Sequence, residues 1–132
     1  MELLPDFWDK YPTLEGFYMK APLIELPESL SLLTNLTQFS IEGTHLKKIP
    51  DWILNFKELE YLESFHSHKL EYLPRGMHTL TKLKEVVLID SNIKNLPHDL
   101  ALCPSLELIY MNYSTIQKLP ADTRRVFGEL IE

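Results

Sequence analysis

Much that would mark a catalytic or secreted protein is missing from this chain. Its one cysteine, Cys103, cannot form an internal disulfide. None of its four glycines stands in a G-x-G-x-x-G or P-loop arrangement, so no phosphate-cradling loop is present. Basic side chains are the minority, 13 against 19 acidic, for a net charge of −6. Affinity for nucleic acid comes largely from Lys and Arg neutralising phosphates, so that partner is disfavoured. No run approaches the roughly 18 apolar residues of a membrane span. The N-terminus, Met1 to Lys10, lacks both the basic start and the apolar stretch of a signal peptide. The expectation is a soluble, cytoplasmic protein without a membrane partner. What the chain does have is material for a core: 45% of its 132 residues are apolar, enough for one folded domain and too much for a disordered segment.

That apolar content is periodic. A Leu-Pro or Ile-Pro pair returns six times, with the first residue at Leu4, Leu26, Ile49, Leu73, Leu96 and Leu119, at steps of 22, 23, 24, 23 and 23. Further columns follow each of the first five members. Four residues on stand Trp8, Leu30, Ile53, Met77 and Leu100; seven on stand Tyr11, Leu33, Phe56, Leu80 and Cys103; ten on stand Leu14, Leu36, Leu59, Leu83 and Leu106. Thirteen on come Phe17, Phe39, Leu62, Val86 and Ile109, and fifteen on Met19, Ile41, Ser64, Leu88 and Met111. Of these thirty positions 29 are apolar, where the overall composition would place about 13 or 14 by chance, so the whole block repeats and not the dipeptide alone.

Within a block the spacing changes character. From the proline to the tenth residue apolar side chains recur every three, the habit of a tight helical or 3-10 segment, and proline suits its first turn because the missing N–H is not needed there. Beyond that they alternate, as in Phe39-Ser40-Ile41, Val86-Val87-Leu88 and Ile109-Tyr110-Met111. A period of two is that of a strand with one buried face. Each block is therefore a short strand, a turn and a helical return.

The strand portions, Leu36 to Leu46 and Leu83 to Ile93 among them, resemble the leucine-rich repeat consensus L-x-x-L-x-L-x-x-N-x-L. The returns, Leu-Pro-x-x-Leu-x-x-Leu, resemble the intracellular-type repeats of bacterial proteins, Ras-pathway scaffolds and plant immune receptors. The resemblance covers about residues 1 to 120 in five consecutive copies. It implies an α/β solenoid, a short horseshoe of about five parallel strands on the concave side and helical or 3-10 segments on the convex side. The ninth consensus position carries Thr44, Ser67, Ser91 and Ser114 in place of Asn, hydroxyls that bond backbone but reach less far. The third block is one residue longer and puts Ser64 where a leucine belongs, so a local bulge is expected between Leu62 and Leu70. After Pro120 the register breaks, with Thr123 and Glu129 on would-be core positions. Solenoid ends need covers, so 1–12 is read as an N-terminal cap with Trp8 over the first turn, 13–120 as repeats, and 121–132 as a C-terminal capping helix.

Groups able to carry chemistry all have a plainer reading. Cys103 lies in an apolar column beside Leu80 and Phe56, as a buried inert thiol would. His66 and His68, with His45 at a comparable point of the adjacent turn, could present imidazoles together, but no cysteine or carboxylate ligand set accompanies them. His78 and His98 occupy unrelated positions. Glu63 and Glu85 stand on an open strand face, which is no cleft to raise a carboxylate pKa. No catalytic site, metal or cofactor is expected.

The outward strand face does stand out. Alternation points Gly16, Tyr18, Lys20, Gln38, Ser40, Glu42, Tyr61, Glu63, Phe65, Glu85, Val87, Ile89, Leu108, Tyr110 and Asn112 away from the core. Its last three repeats contribute Tyr61, Phe65, Val87, Ile89, Leu108 and Tyr110, with Tyr113 at the rim and Glu63, Glu85, Glu42 and Asp90 around them. Aromatic and β-branched residues favour strands whether or not anything binds. A contiguous exposed patch nevertheless marks interaction sites, and tyrosine is enriched in hot spots. The expectation is a protein-binding scaffold whose partner has an apolar protrusion and a basic rim. The alternative is the targeting or sensing segment of a larger protein, a secreted bacterial effector acting in host cytosol or an immune receptor.

Overall fold

The computed structural model describes Tyr11 and residues 13–131. Strands β1 (Gly16–Lys20), β2 (Gln38–Glu42), β3 (Tyr61–Phe65), β4 (Glu85–Ile89) and β5 (Leu108–Met111) form one parallel sheet in chain order. Phe17, Phe39, Leu62, Val86 and Ile109 pair across it in one row, and Met19, Ile41, Ser64, Leu88 and Met111 in the next. Both rows are buried, as the alternation requires.

The returns are 3-10 helices at Glu28–Leu32, Asp51–Asn55, Met77–Thr79 and His98–Leu102. They insert Leu30, Ile53, Met77 and Leu100 into the core from the side opposite the sheet. Pro27, Pro50 and Pro97 each stand just before a helix with φ near −63°, at −65, −61 and −64, the value that the pyrrolidine ring sets. Aromatic rings pack through three repeats, Phe17 stacked on Phe39 at 5.3 Å and Phe39 tilted by 36° against Phe56 at 5.7 Å between centroids. Full burial of each Leu, Ile or Phe contributes about 1.5–3 kcal/mol, so the stack is held chiefly by this continuous core.

The extra residue of the third block is absorbed in a turn closed by Leu70 N–H donating to the Ser67 carbonyl at 3.0 Å. The bulge is confined there, and the register of β3 with β2 and β4 is unbroken. The following return is shortened: Gly76, at φ +97°, delays the helix to Met77, and its N–H donates to Asp99 Oδ2 at 2.7 Å.

Three expectations change at the ends. Tyr11, in an apolar column of the sequence, is 45% exposed. Ser114 does not occupy a turn position like Thr44 and Ser67; it is exposed on α1 (Tyr113–Lys118). Thr123 is fully buried in spite of its hydroxyl, on α2 (Ala121–Phe127). It sits in the column of Leu100 and Met77, and the hydroxyl is satisfied by Asn95 Oδ1 at 2.5 Å and His98 Nε2 at 3.1 Å. After a 3-10 turn at Gly128–Leu130, Ile131 forms a parallel bridge to Ile109. The expected terminal helix is thus present as α2, but it ends at Phe127 and is followed by a turn and a bridge to β5, and a further short helix, α1, precedes it inside the range expected as repeats. The N-terminal cap and Trp8 lie outside the described residues.

Candidate functional site

The sheet register sorts the outward side chains into three rows that run across the strands. Gly16, Gln38, Tyr61, Glu85 and Leu108 form the first; Tyr18, Ser40, Glu63, Val87 and Tyr110 the second; Lys20, Glu42, Phe65 and Ile89 the third. Neighbours in a row are one strand spacing apart, about 4.8 Å, so their side chains touch or nearly so. Tyr61, Phe65, Val87, Ile89 and Leu108 are brought together this way and are half-buried against one another. Tyr110 is 47% exposed and Tyr113, the first residue of α1, is 73% exposed beyond the end of β5. Ser40 departs from the expectation of an exposed position. It faces outward but is only 3% exposed, because it is short and stands between Tyr18 and Glu63.

The acidic groups differ in what holds them. Glu63 accepts from Gln38 Nε2 at 2.8 Å. Glu42 accepts from the Tyr18 hydroxyl at 2.6 Å and pairs with Lys20 at 3.5 Å. The Tyr18 bond holds the Glu42 carboxyl below its ordinary range, with help from the Lys20 charge, and raises the Tyr18 phenol above its own. Glu85, between Tyr61 and Leu108, makes no side-chain hydrogen bond or ion pair among the described residues. Glu63 and Glu85 are diagonal neighbours on an open face and not a catalytic pair facing across a cleft.

A ridge along the rim was not legible from residue types. Gly43, His66 and Asp90 follow β2, β3 and β4 at the same repeat position and share left-handed backbone, at φ 67, 56 and 56. The Gly43 and His66 N–H groups donate to the carbonyls of Phe65 and Ile89, at the end of the next strand, at 2.9 Å each. At Asp90 the chain beyond β5 turns into α1, and the Asn112 side chain takes over, its Oδ1 accepting from Asp90 N–H at 2.7 Å. Asn112 Nδ2 donates to Asp90 Oδ1 at 2.9 Å and His66 Nδ1 lies 2.6 Å from Asp90 Oδ2. These bonds, from Asn112 first and then His66, hold the Asp90 carboxyl below its ordinary range. The signal in the sequence is the 23- and 24-residue spacing of Gly43, His66 and Asp90, with Gly and Asp tolerant of αL.

The other candidates stay apart. The His66 and His68 rings are 6.4 Å apart between centroids, and no cluster of three or more His, Cys, Asp or Glu able to hold a metal is found among the described residues. Cys103 is buried and donates to the Met77 carbonyl at 3.0 Å; burial pushes its thiol up to about 11, with Asp99 adding to the effect. No helix among the described residues is long and apolar enough to cross a membrane.

With the geometry in view, comparisons with known proteins agree on the fold. No protein-family model matches the chain. It is 37% identical over 71 residues to the probable disease resistance protein At1g51480 of Arabidopsis thaliana, a match of 54% of this chain and 8% of that one. Disease resistance protein RFL1 of the same plant is 30% identical over 96 residues, 70% of this chain and 11% of the relative. The chain thus spans about a tenth of the length of these curated relatives. Among solved structures, the leucine-rich repeat domain of the type III effector XopL superposes with a TM-score of 0.74 at 22% identity, over 81% of this chain and 39% of that one. A leucine-rich repeat protein of Leptospira interrogans does so at 0.65 and 19% identity, over 90% and 39%. Five parallel strands and repeated 3-10 returns define a repeat solenoid. The chain belongs to the leucine-rich repeat class.

Proposed function

We propose that the chain is a protein-binding module whose partner docks on the concave face over β3, β4 and β5. The observation that carries this reading is the continuous apolar surface of Tyr61, Phe65, Val87, Ile89, Leu108 and Tyr110, in register on adjacent strands and outside the core. Strand propensity can place each of these residues on a strand, Tyr110 included, but it does not account for their contiguity on one face, nor for Tyr113 on α1, 73% exposed beside Tyr110 at 47%. Turns stacked at about 4.8 Å hold these side chains in place, so little ordering entropy is lost on docking. The unpaired Glu85, and Glu63, whose Oε1 alone is bonded to Gln38, favour a partner with basic charge at its rim. The module works without cofactor or chemistry of its own, in the cytoplasm and away from membrane and nucleic acid.

A second reading is favoured by the relatives: two disease resistance proteins far longer than this chain, and a type III effector. In it the same face is the sensing or targeting surface of a larger immune receptor, or of a secreted effector acting in host cytosol.

Capture from a lysate of the source cells, compared quantitatively between the wild type and a Phe65, Ile89 and Tyr110 triple-alanine variant, tests both. Truncating one aromatic hot spot typically costs about 2 kcal/mol, roughly thirtyfold in affinity. Loss of the partner at an unchanged melting temperature is expected. Full capture by the triple variant moves the site to the His66–His68 loop or to the convex side.

A further inference from the structure

The concave face is uneven. Over β3 to β5 its outward side chains are large, but across β1 and β2 the floor drops, where Gly16 has no side chain and Ser40 a short one. The result is a depression of about 450 Å³ lined by Gly16, Tyr18, Gln38, Ser40, Glu63 and Phe65. Nothing lies within 4 Å of the place a Cβ on Gly16 would take, so the floor is open there. Aromatic rings flank it, Tyr18 on one side and Phe65 on the other.

The walls are fixed before anything binds. The Tyr18 hydroxyl is tied to Glu42 Oε1 at 2.6 Å, and Gln38 Nε2 holds Glu63 by Oε1 at 2.8 Å, leaving Glu63 Oε2 available. Two carboxylates, Glu42 and Glu63, stand against one cation, Lys20, which is drawn to Glu42 Oε2 in the outermost row. The depression is therefore anionic, aromatic-walled and preorganised.

Resting on the concave-face reading, we propose that this depression receives an arginine side chain of the partner, its guanidinium stacked on Tyr18 and bonded to Glu63. A guanidinium is planar, weakly hydrated and always charged; it stacks on aromatic faces and pairs with carboxylates through a rigid fork. Phe65 is shared between this subsite and the apolar patch. The recognised segment is thus an arginine with apolar residues beside it, the latter covering Val87, Ile89 and Tyr110.

The test is amide NMR of the full chain titrated with acetyl-Leu-Arg-Leu-amide and with the same peptide carrying citrulline, the neutral isostere of arginine. The arginine peptide is expected to shift Gly16, Ser40 and the Gln38 side-chain amide saturably, and the citrulline peptide to bind at least tenfold more weakly and spare those three. Gly16→Leu, which fills open space, and Glu63→Gln, which keeps the shape, should each erase the difference between the peptides. Equal binding of both peptides, or shifts confined to Val87, Ile89 and Tyr110, overturns the arginine site while leaving the concave-face reading standing. Shifts from neither peptide anywhere on the face count against both.

Discussion

Replacing serine by alanine at two buried positions of this core should move stability in opposite directions. Ser64 lies in the row Met19, Ile41, Ser64, Leu88 and Met111, fully buried, and its hydroxyl meets no hydrogen-bonding group. Such a group costs about 1–3 kcal/mol when it is desolvated without a partner. Removing the oxygen leaves a void of roughly 10 Å³, worth only ~0.2 kcal/mol at the cavity coefficient. Ser64→Ala should therefore stabilise the fold by about 1–2 kcal/mol. In a chain of 132 residues that raises the melting temperature by roughly 3–10 °C. Ser67, three residues on, is equally buried but its Oγ accepts from Thr44 N–H at 3.2 Å and lies 2.8 Å from Thr44 Oγ1. Ser67→Ala strands both Thr44 groups and should destabilise by about 1–3 kcal/mol. Urea melts of the three proteins read both effects as midpoint shifts, and an unchanged slope shows that the denatured surface is the same. A loss of stability in Ser64→Ala comparable to that in Ser67→Ala would refute the assignment of an unsatisfied hydroxyl.

Three further outcomes are expected. Leu88→Ala, at the middle of the stack and 1% exposed, should cost about 2–5 kcal/mol in the same melts through the cavity it opens. Because Asp90 is held below its ordinary 3.8 by Asn112 and His66, its ionised form stabilises the fold. That contribution is fully present above the unfolded aspartate value and is lost as pH falls through the lower folded one, so wild type and Asp90→Asn should differ at pH 7 and converge in strong acid, as urea melts across the acid range would show. Cys103, with its thiol at about 11, is only about one part in a thousand thiolate at pH 8 and should react with a thiol reagent only when urea unfolds the protein.

The repeat was legible because a solenoid asks each block to solve the same burial problem, so Leu26, Ile49, Leu73 and Leu96 recur in one column and all are buried. The strand face was legible for the same reason, since alternation fixes which of Val86, Val87 and Leu88 points inward. What alternation could not show is how outward side chains cover one another. Ser40 disappears between Tyr18 and Glu63, and Glu63 is bonded across a strand to Gln38, which no within-strand pattern reveals. Thr123 reads as a break in register because hydropathy scores its hydroxyl and not the Asn95 and His98 groups, 28 and 25 residues away, that satisfy it at a core position. The rim chain of His66, Asp90 and Asn112 was hidden for a related reason: it depends on left-handed backbone at two non-glycine residues.

The most direct test of partner docking on the concave face is site-specific photocrosslinking in the source cells, with benzoylphenylalanine at position 110 on the sheet face or at position 102 on the convex returns. Tyr110 and Leu102 are both well exposed, at 47% and 70%, so access does not separate them. A covalent adduct to a defined protein from position 110, absent from position 102, is the expected result. An adduct from position 102 alone, or equal adducts from both, would contradict the account.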